Sequence, residues 1–156
     1  MPTYLYALVA AFVLLDIFMF GGLWFLAAYS KANRPENVGR GHLSEGPVKP
    51  NWVSSVTRDK GKLITPFNFS GDPDEAWKAA KEAVASLPKT KIVSSDEKFL
   101  YAECSSAIFG FVDDLELLLR PHEGRIDVRS ASRVGHSDLG ANRQRVEKLR
   151  ALIERR

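Results

Sequence analysis

From Tyr4 to Tyr29 the chain reads YLYALVAAFVLLDIFMFGGLWFLAAY, almost without a polar side chain. No other feature restricts its fold so strongly. A helix rising 1.5 Å per residue makes this run about 39 Å long, more than the roughly 30 Å hydrocarbon core of a bilayer. Tyr4 and Tyr6 at one end, with Trp24 and Tyr29 at the other, sit where interfacial aromatic belts belong. A cleaved signal peptide is the competing reading, since Ala28 and Ser30 resemble the small residues of a cleavage site. Signal peptides, however, carry a basic leader and a shorter apolar core of about 7–15 residues, and no basic residue precedes this run. The expectation is one retained transmembrane helix over residues 4–29.

Asp16 lies near the middle of that helix. A mid-bilayer carboxylate costs roughly 2.5–3.5 kcal/mol on insertion scales, so it calls for protonation, a partner or water, and intramembrane acids are functional candidates for that reason. One reading is that Asp16 docks against a polar or basic group of another transmembrane helix. Ala7 and Ala11, four apart, offer a second helix a close approach. The alternative is an isolated, protonated Asp16 tolerated by a long helix. Lys31, Arg34 and Arg40 follow the helix, and by the positive-inside rule they place the C-terminal part in the cytoplasm.

All 22 Lys and Arg residues lie beyond position 30, with 18 of the 19 acids, a net +4 for the extramembrane part. That mild basicity favours anionic partners without naming one. Cys104 stands alone, which excludes an internal disulfide and multi-cysteine metal sites; its apolar context reads as a small buried hydrophobe. Residues 30–61 form a linker or irregular arm, punctuated by Pro35, Pro47, Pro50 and several glycines, with the stretch around Trp52 expected to lie against the core. Residues 62–156 read as an α+β domain. KLITPFNF suits an edge strand because of Pro66. DPDEAWKAAKEAVASLP is an amphipathic helix capped at Asp72 and anchored by Trp77. Strands follow at 91–95, 98–105, 109–119 and 124–132. A last helix, capped at Ser137 or Asp138, buries a stripe of Leu139, Asn142, Val146, Leu149 and Ile153. The predicted architecture is an antiparallel sheet with two helices packed on one face.

If Pro121 to Gly124 turn the last hairpin, Arg120 faces Arg125, Glu116 faces Arg129, Asp114 faces Ala131 and Val112 faces Arg133. The opposite surface pairs Leu119 with Ile126, Leu117 with Val128, Leu115 with Ser130 and Asp113 with Ser132. One face is then apolar and the other charged. The charges allow three readings: cross-strand ion pairs among Asp114, Glu116, Arg129 and Arg133 on an open face; an anion site of Arg129, Arg133, Ser137 and Arg143 at the start of the last helix; or hard-cation ligands at Asp113, Asp114 and Glu116. The third is weakened because adjacent strand residues point to opposite faces, and no metal or other cofactor is expected. His136-Ser137-Asp138 has triad residue types, but adjacency is not triad geometry. No GxSxG, P-loop, GxGxxG or HExxH is present, so no catalytic residue is assigned and enzyme activity has no positive support in the sequence. The basic residues of the last helix, Arg143, Arg145, Lys148, Arg150, Arg155 and Arg156, suit a solvated face or anionic headgroups. Nucleic acid is not expected, for want of exposed interleaved aromatics.

The strings PNWVSS, FGFVDDLE and VRSASRVGHSDLGANRQRVE, in that order, resemble a bacterial and plastid family catalogued as a domain of unknown function, number fourteen-ninety-nine. The resemblance runs from about Arg34 to the C-terminus. The family pattern has PNC where this chain has Pro50-Asn51-Trp52, so thiol chemistry of relatives at that position is not available here. Many relatives are similar to exported proteins or lipoproteins, which implies a bacterial inner or plastid-type membrane with the domain on the far side, against the charge rule. Together these readings predict a membrane-anchored accessory or interaction protein. Its partners would be the bilayer and an integral membrane protein, met through Asp16, Ala7, Ala11 and Trp52. The alternative is a domain binding an anionic lipid or phosphate-like ligand, and a metal-dependent hydrolase is more distant.

Overall fold

A computed structural model of the chain describes residues 2–155. Helix α1, Pro2–Ala32, contains the apolar run, and its Tyr4–Ala32 portion is long and apolar enough to cross a membrane. It leads into an antiparallel sheet of six strands: β1 Trp52–Ser54, β2 Phe67–Asn68, β3 Thr90–Ser95, β4 Phe99–Ser105, β5 Val112–Arg120 and β6 Arg125–Ser132. Their order is β1-β6-β5-β4-β3, with β2 also pairing β6. Helices α2, Pro73–Ser86, and α3, Ala141–Ile153, complete the α+β fold.

Local chemistry explains most boundaries. Asp72 caps α2 by accepting a hydrogen bond from Asp74 N–H, and Pro73 occupies the first helical turn, where its missing N–H costs nothing. Pro66 precedes a two-residue strand at the edge of β6. The β5–β6 turn is a 3-10 turn over Pro121–Glu123, closed by Gly124 in the left-handed region at φ 60. The register of this hairpin is the one that alternation predicts, from Asp113 opposite Ser132 to Arg120 opposite Arg125.

One sheet face meets both helices. Leu100, Ala102, Leu115, Leu117, Ile126 and Val128 pack there against Trp77, Ala80, Ala83, Val84, Val146 and Leu149. The other face is not open. The arm between α1 and β1 folds back across it, and Val38 and Leu43 pack on Phe99, Tyr101 and Leu118. The expected linker is thus divided: its first part covers the sheet, while Trp52 to Ser54 joins the sheet as an edge strand on β6.

The start of α3 also departs from expectation. The helix begins at Ala141 rather than at Ser137 or Asp138, because Leu139 and Gly140 both take left-handed backbone, at φ 50 and φ 82. Asp138 nonetheless serves the helix end by accepting from Asn142 N–H at 2.9 Å. Leu139 is therefore no part of the inner stripe; it is 90 % exposed, whereas Asn142, Val146 and Leu149 are buried.

Candidate functional site

Burial on both sides of β5 and β6 explains how this domain uses its charges. The side chains of Asp113, Asp114 and Glu116 leave β5 toward alternate faces, and each meets its own arginine. Asp114 accepts from Arg133 at 2.8 Å and Glu116 from Arg129 at 3.1 Å, both on the arm side. Asp113 accepts from Arg145 of α3 at 2.6 Å on the helix side. The Glu116–Arg129 and Asp114–Arg133 side chains are at most 4 % exposed, so these are desolvated pairs. Removing one partner of such a pair is far more costly than losing a surface bridge.

Arg133 is the hub of the arm side. Its guanidinium donates to both Asp114 oxygens, to Glu103 at 2.6 Å, to the Tyr101 hydroxyl at 2.8 Å and to the Ser30 carbonyl at 2.8 Å. Ser30 belongs to the last turns of α1, and its hydroxyl also accepts from Val112 N–H at 3.0 Å. Val112 therefore spends its N–H on α1, and Arg133 lies just beyond the end of β6 at Ser132, so the expected Val112–Arg133 cross-strand pair is replaced by a joint contact with the helix. Arg34, two residues past α1, adds a bridge to Glu103 and stacks over the Tyr101 ring. The second pair fastens the arm. Glu116 accepts from the Gly39 and Ser44 N–H groups and the Ser44 hydroxyl, while Arg129 donates to the Glu45 carbonyl.

The electrostatics follow from this packing. Burial and then the Asp114 carboxylate push the Tyr101 phenol above its ordinary value. Burial works to raise Glu103, but hydrogen bonds from Arg133 and Arg34 outweigh it and hold that carboxyl below the usual range. Burial pushes Asp113 up against the pull of Arg145, and it pushes the Cys104 thiol up as well, consistent with an inert core cysteine.

On the helix side a second polar network centres on Asn142. Its Nδ2 donates to the Asn51 carbonyl, Ser132 Oγ and Asp138 Oδ2, and its Oδ1 accepts from Ser130 and Arg145. The Asn51 side chain donates to the carbonyls of Ser132, Val134 and Gly135. The strings PNW, VDDLE and the long VRSASR-to-NRQR stretch are thus three parts of one interlocked assembly.

The four residues expected to hold an anion are not brought together. Arg129 and Arg133 are committed to carboxylates beneath the arm. Ser137 lies in the β6–α3 turn, where its hydroxyl accepts from Leu139 N–H. Arg143 points to the carbonyls of Gly61 and Leu63. Asp113 and Asp114 stand on opposite faces, and among the described residues no group of three or more His, Cys, Asp or Glu is placed to hold a metal ion. Arg120 and Arg125, like charges face to face, are reconciled by Asp127 between them. Trp52 is partly buried, its indole lying directly over Gly46. On α1, Ala7, Ala11 and Asp16 are exposed, and among the described residues no hydrogen bond or ion pair reaches Asp16. Arg156 lies outside the described residues. Sequence reasoning missed Ser30, Arg34, Tyr101, Glu103 and Arg145. The signal available was a strand pair with buried periodicity that carried charges on both faces, each of which requires a partner.

Residues 42–153 match the family model described as "Protein of unknown function (DUF1499)". The chain belongs to that family. A comparison with curated proteins gives no match. The DUF1499 match takes in the whole sheet, both domain helices and the Ser44 and Glu45 end of the arm. It stops short of α1, Arg34 and Gly39. Arg133 and Glu103 thus lie inside the family region while two of their partners, Ser30 and Arg34, lie outside it.

Proposed function

We propose that this DUF1499 protein is a membrane-anchored interaction protein whose helix α1 is retained as a single-pass anchor and offers Asp16 to a second integral membrane protein. The observation that carries the first half is the burial of the end of α1 in the domain. Ala27 and Ser30 are 1 % and 0 % exposed, and Ser30 supplies acceptors to Arg133 and to Val112 N–H. Cleavage after Ser30 would take both acceptors away from buried donors, each loss costing about 1–3 kcal/mol. That argues for retention independently of the length and hydropathy of the run.

The second half rests on Asp16 and the surface around it. Among the described residues the contacts between the domain and α1 run from Phe20 to the end of the helix, leaving Asp16 and the residues before it free for lipid or another helix. A carboxylate there, with no partner in its own chain among the described residues, favours a polar partner in the membrane. Ala7 and Ala11 stand about 180° and about 140° around the helix from Asp16, so their small side chains ease contact on a different face. The anion-binding alternative draws less support, because Arg129 and Arg133 already face carboxylates.

Gentle-detergent purification of the tagged full chain from its native membrane, with mass spectrometry of what accompanies it, tests the proposal. Reproducible membrane partners that Asp16→Leu depletes are the expected result. A chain that emerges alone, with Asp16→Leu indistinguishable, would remove the interaction role while leaving the anchor in place.

A further inference from the structure

The domain does not hang below α1 on a tether; it is seated along the end of the helix, from Phe20 onward. Leu23, Ala27 and Ser30, spaced as one helical stripe, are the residues of this segment withdrawn from solvent. Beside them runs the β4–β5 loop, residues 106–111. Its Phe109 ring reaches the Phe20 ring at 6.4 Å between centroids and the Phe111 ring at 5.9 Å. Across a cleft of about 340 Å³, Leu23 and Leu26 of α1 face Phe111, Val134 and Leu139 of the domain.

These contacts fix a depth. A hydrocarbon core of about 30 Å takes about 20 residues of helix, so a span starting at Tyr4 ends near Leu23. Phe20 lies three residues inside that end, about 4.5 Å deeper at the helical rise. A loop whose aromatic ring touches Phe20 therefore descends below the headgroups. The residues at its tip suit that depth. Ile108 is 81 % exposed, and Leu139, in the neighbouring turn, is 90 % exposed. Leu139 is doubly out of place in water, since at φ 50 it also holds a left-handed conformation that glycine or asparagine adopts at less cost. Two ammonium groups flank the apolar tip. Lys31 Nζ lies beside Gly110, 3.3 Å from where a Cβ would stand, and Lys89 Nζ donates to the Ala107 carbonyl. Apolar tips flanked by lysines match the layering of a membrane interface, with stems in the acyl region and charges at the headgroups.

The geometry points to a second membrane contact: the 106–111 loop and the Leu139 turn insert into the acyl–headgroup boundary of the leaflet that α1 enters, with Ile108, Phe109 and Leu139 in contact with lipid. This rests on α1 spanning the bilayer. It would hold the domain flush on the membrane in one orientation, with the β5–β6 turn at His122 away from the lipid contact.

The test uses the full chain reconstituted in phosphatidylcholine–phosphatidylglycerol vesicles, with Cys104→Ala as background and single cysteines carrying an environment-sensitive fluorophore. Ile108→Cys and Leu139→Cys should give blue-shifted emission that lipids bearing a doxyl quencher near the top of the acyl chain extinguish. His122→Cys should keep water-like emission. Val13→Cys, at mid-helix, should respond to a deep quencher. Val13 quenched with Ile108 and Leu139 water-like would overturn the loop contact and leave the anchor standing. Val13 unquenched as well would overturn both. Quenching at His122 equal to that at Ile108 would overturn the single orientation.

Discussion

Arg133→Met is the substitution that most sharply separates a structural use of the buried charges from a ligand-binding one. The wild-type guanidinium is 1 % exposed and faces Asp114 at 2 % and Glu103 at 25 %. Methionine fills much of the volume but supplies no donor, so Asp114 keeps only the Tyr101 hydroxyl at 2.8 Å. Leaving a buried carboxylate without its counter-charge costs about 3–5 kcal/mol. Glu103 adds little, since it is partly solvated and partly screened. With a urea m-value of about 2 kcal/mol/M for a domain of this size, the unfolding midpoint should fall by roughly 2 M. Tryptophan fluorescence of the full chain in detergent reads this, because Trp52 and Trp77 both belong to the domain. Adding Asp114→Leu should recover most of the loss, since an apolar pair removes both desolvated charges and Tyr101 can still donate to Glu103. The double-mutant cycle should give a coupling of about 2 kcal/mol or more. A single variant within about 1 kcal/mol of wild type, with strictly additive effects, would refute the claim that this pair is desolvated and structural.

Two further outcomes follow from the same seam. Gly39→Ala should destabilise by about 2 kcal/mol or more in the same urea assay: the residue sits at φ 77 and a Cβ would meet the Tyr101 ring at 2.9 Å, adding overpacking to left-handed strain. On pH, Glu103 and Asp138 are held below their unfolded values, so their contribution is complete above about pH 4 and is lost as pH falls through the lower folded values. Asp113 is raised and acts in the opposite sense, its contribution complete below about pH 4 and lost as pH rises through the folded value. Urea midpoints between pH 3 and pH 7 should therefore climb less steeply in Glu103→Gln and more steeply in Asp113→Asn than in the wild type; unchanged slopes would count against both assignments.

How much of this was legible beforehand depended on whether the determinant was local. The hairpin register could be read because alternation in VDDLELLLR and RIDVRSAS leaves one phase that buries the leucines, and Pro121 to Gly124 set the turn. The α2 cap is likewise written in Asp72-Pro73-Asp74-Glu75. The cover over the charged face was not legible, because residues 33–50 have no helical or strand period and are held by single groups such as Ser44 and Gly39. Arg145 reads as one more base on a basic helix; only the packing of α3 on β6 brings it to Asp113. Leu139 continues the helical stripe in the sequence, but the two left-handed residues before Ala141 turn it outward. Ser30 reads as the small residue of a cleavage site until Arg133 is seen to donate to its carbonyl.

The proposal that α1 is retained, held to the domain through Ser30, is tested most directly by the intact mass of the full-length protein extracted from its native membrane. The mature chain should still contain residues 4–32. A mature chain beginning near Lys31, folded and stable without Ser30, would contradict it.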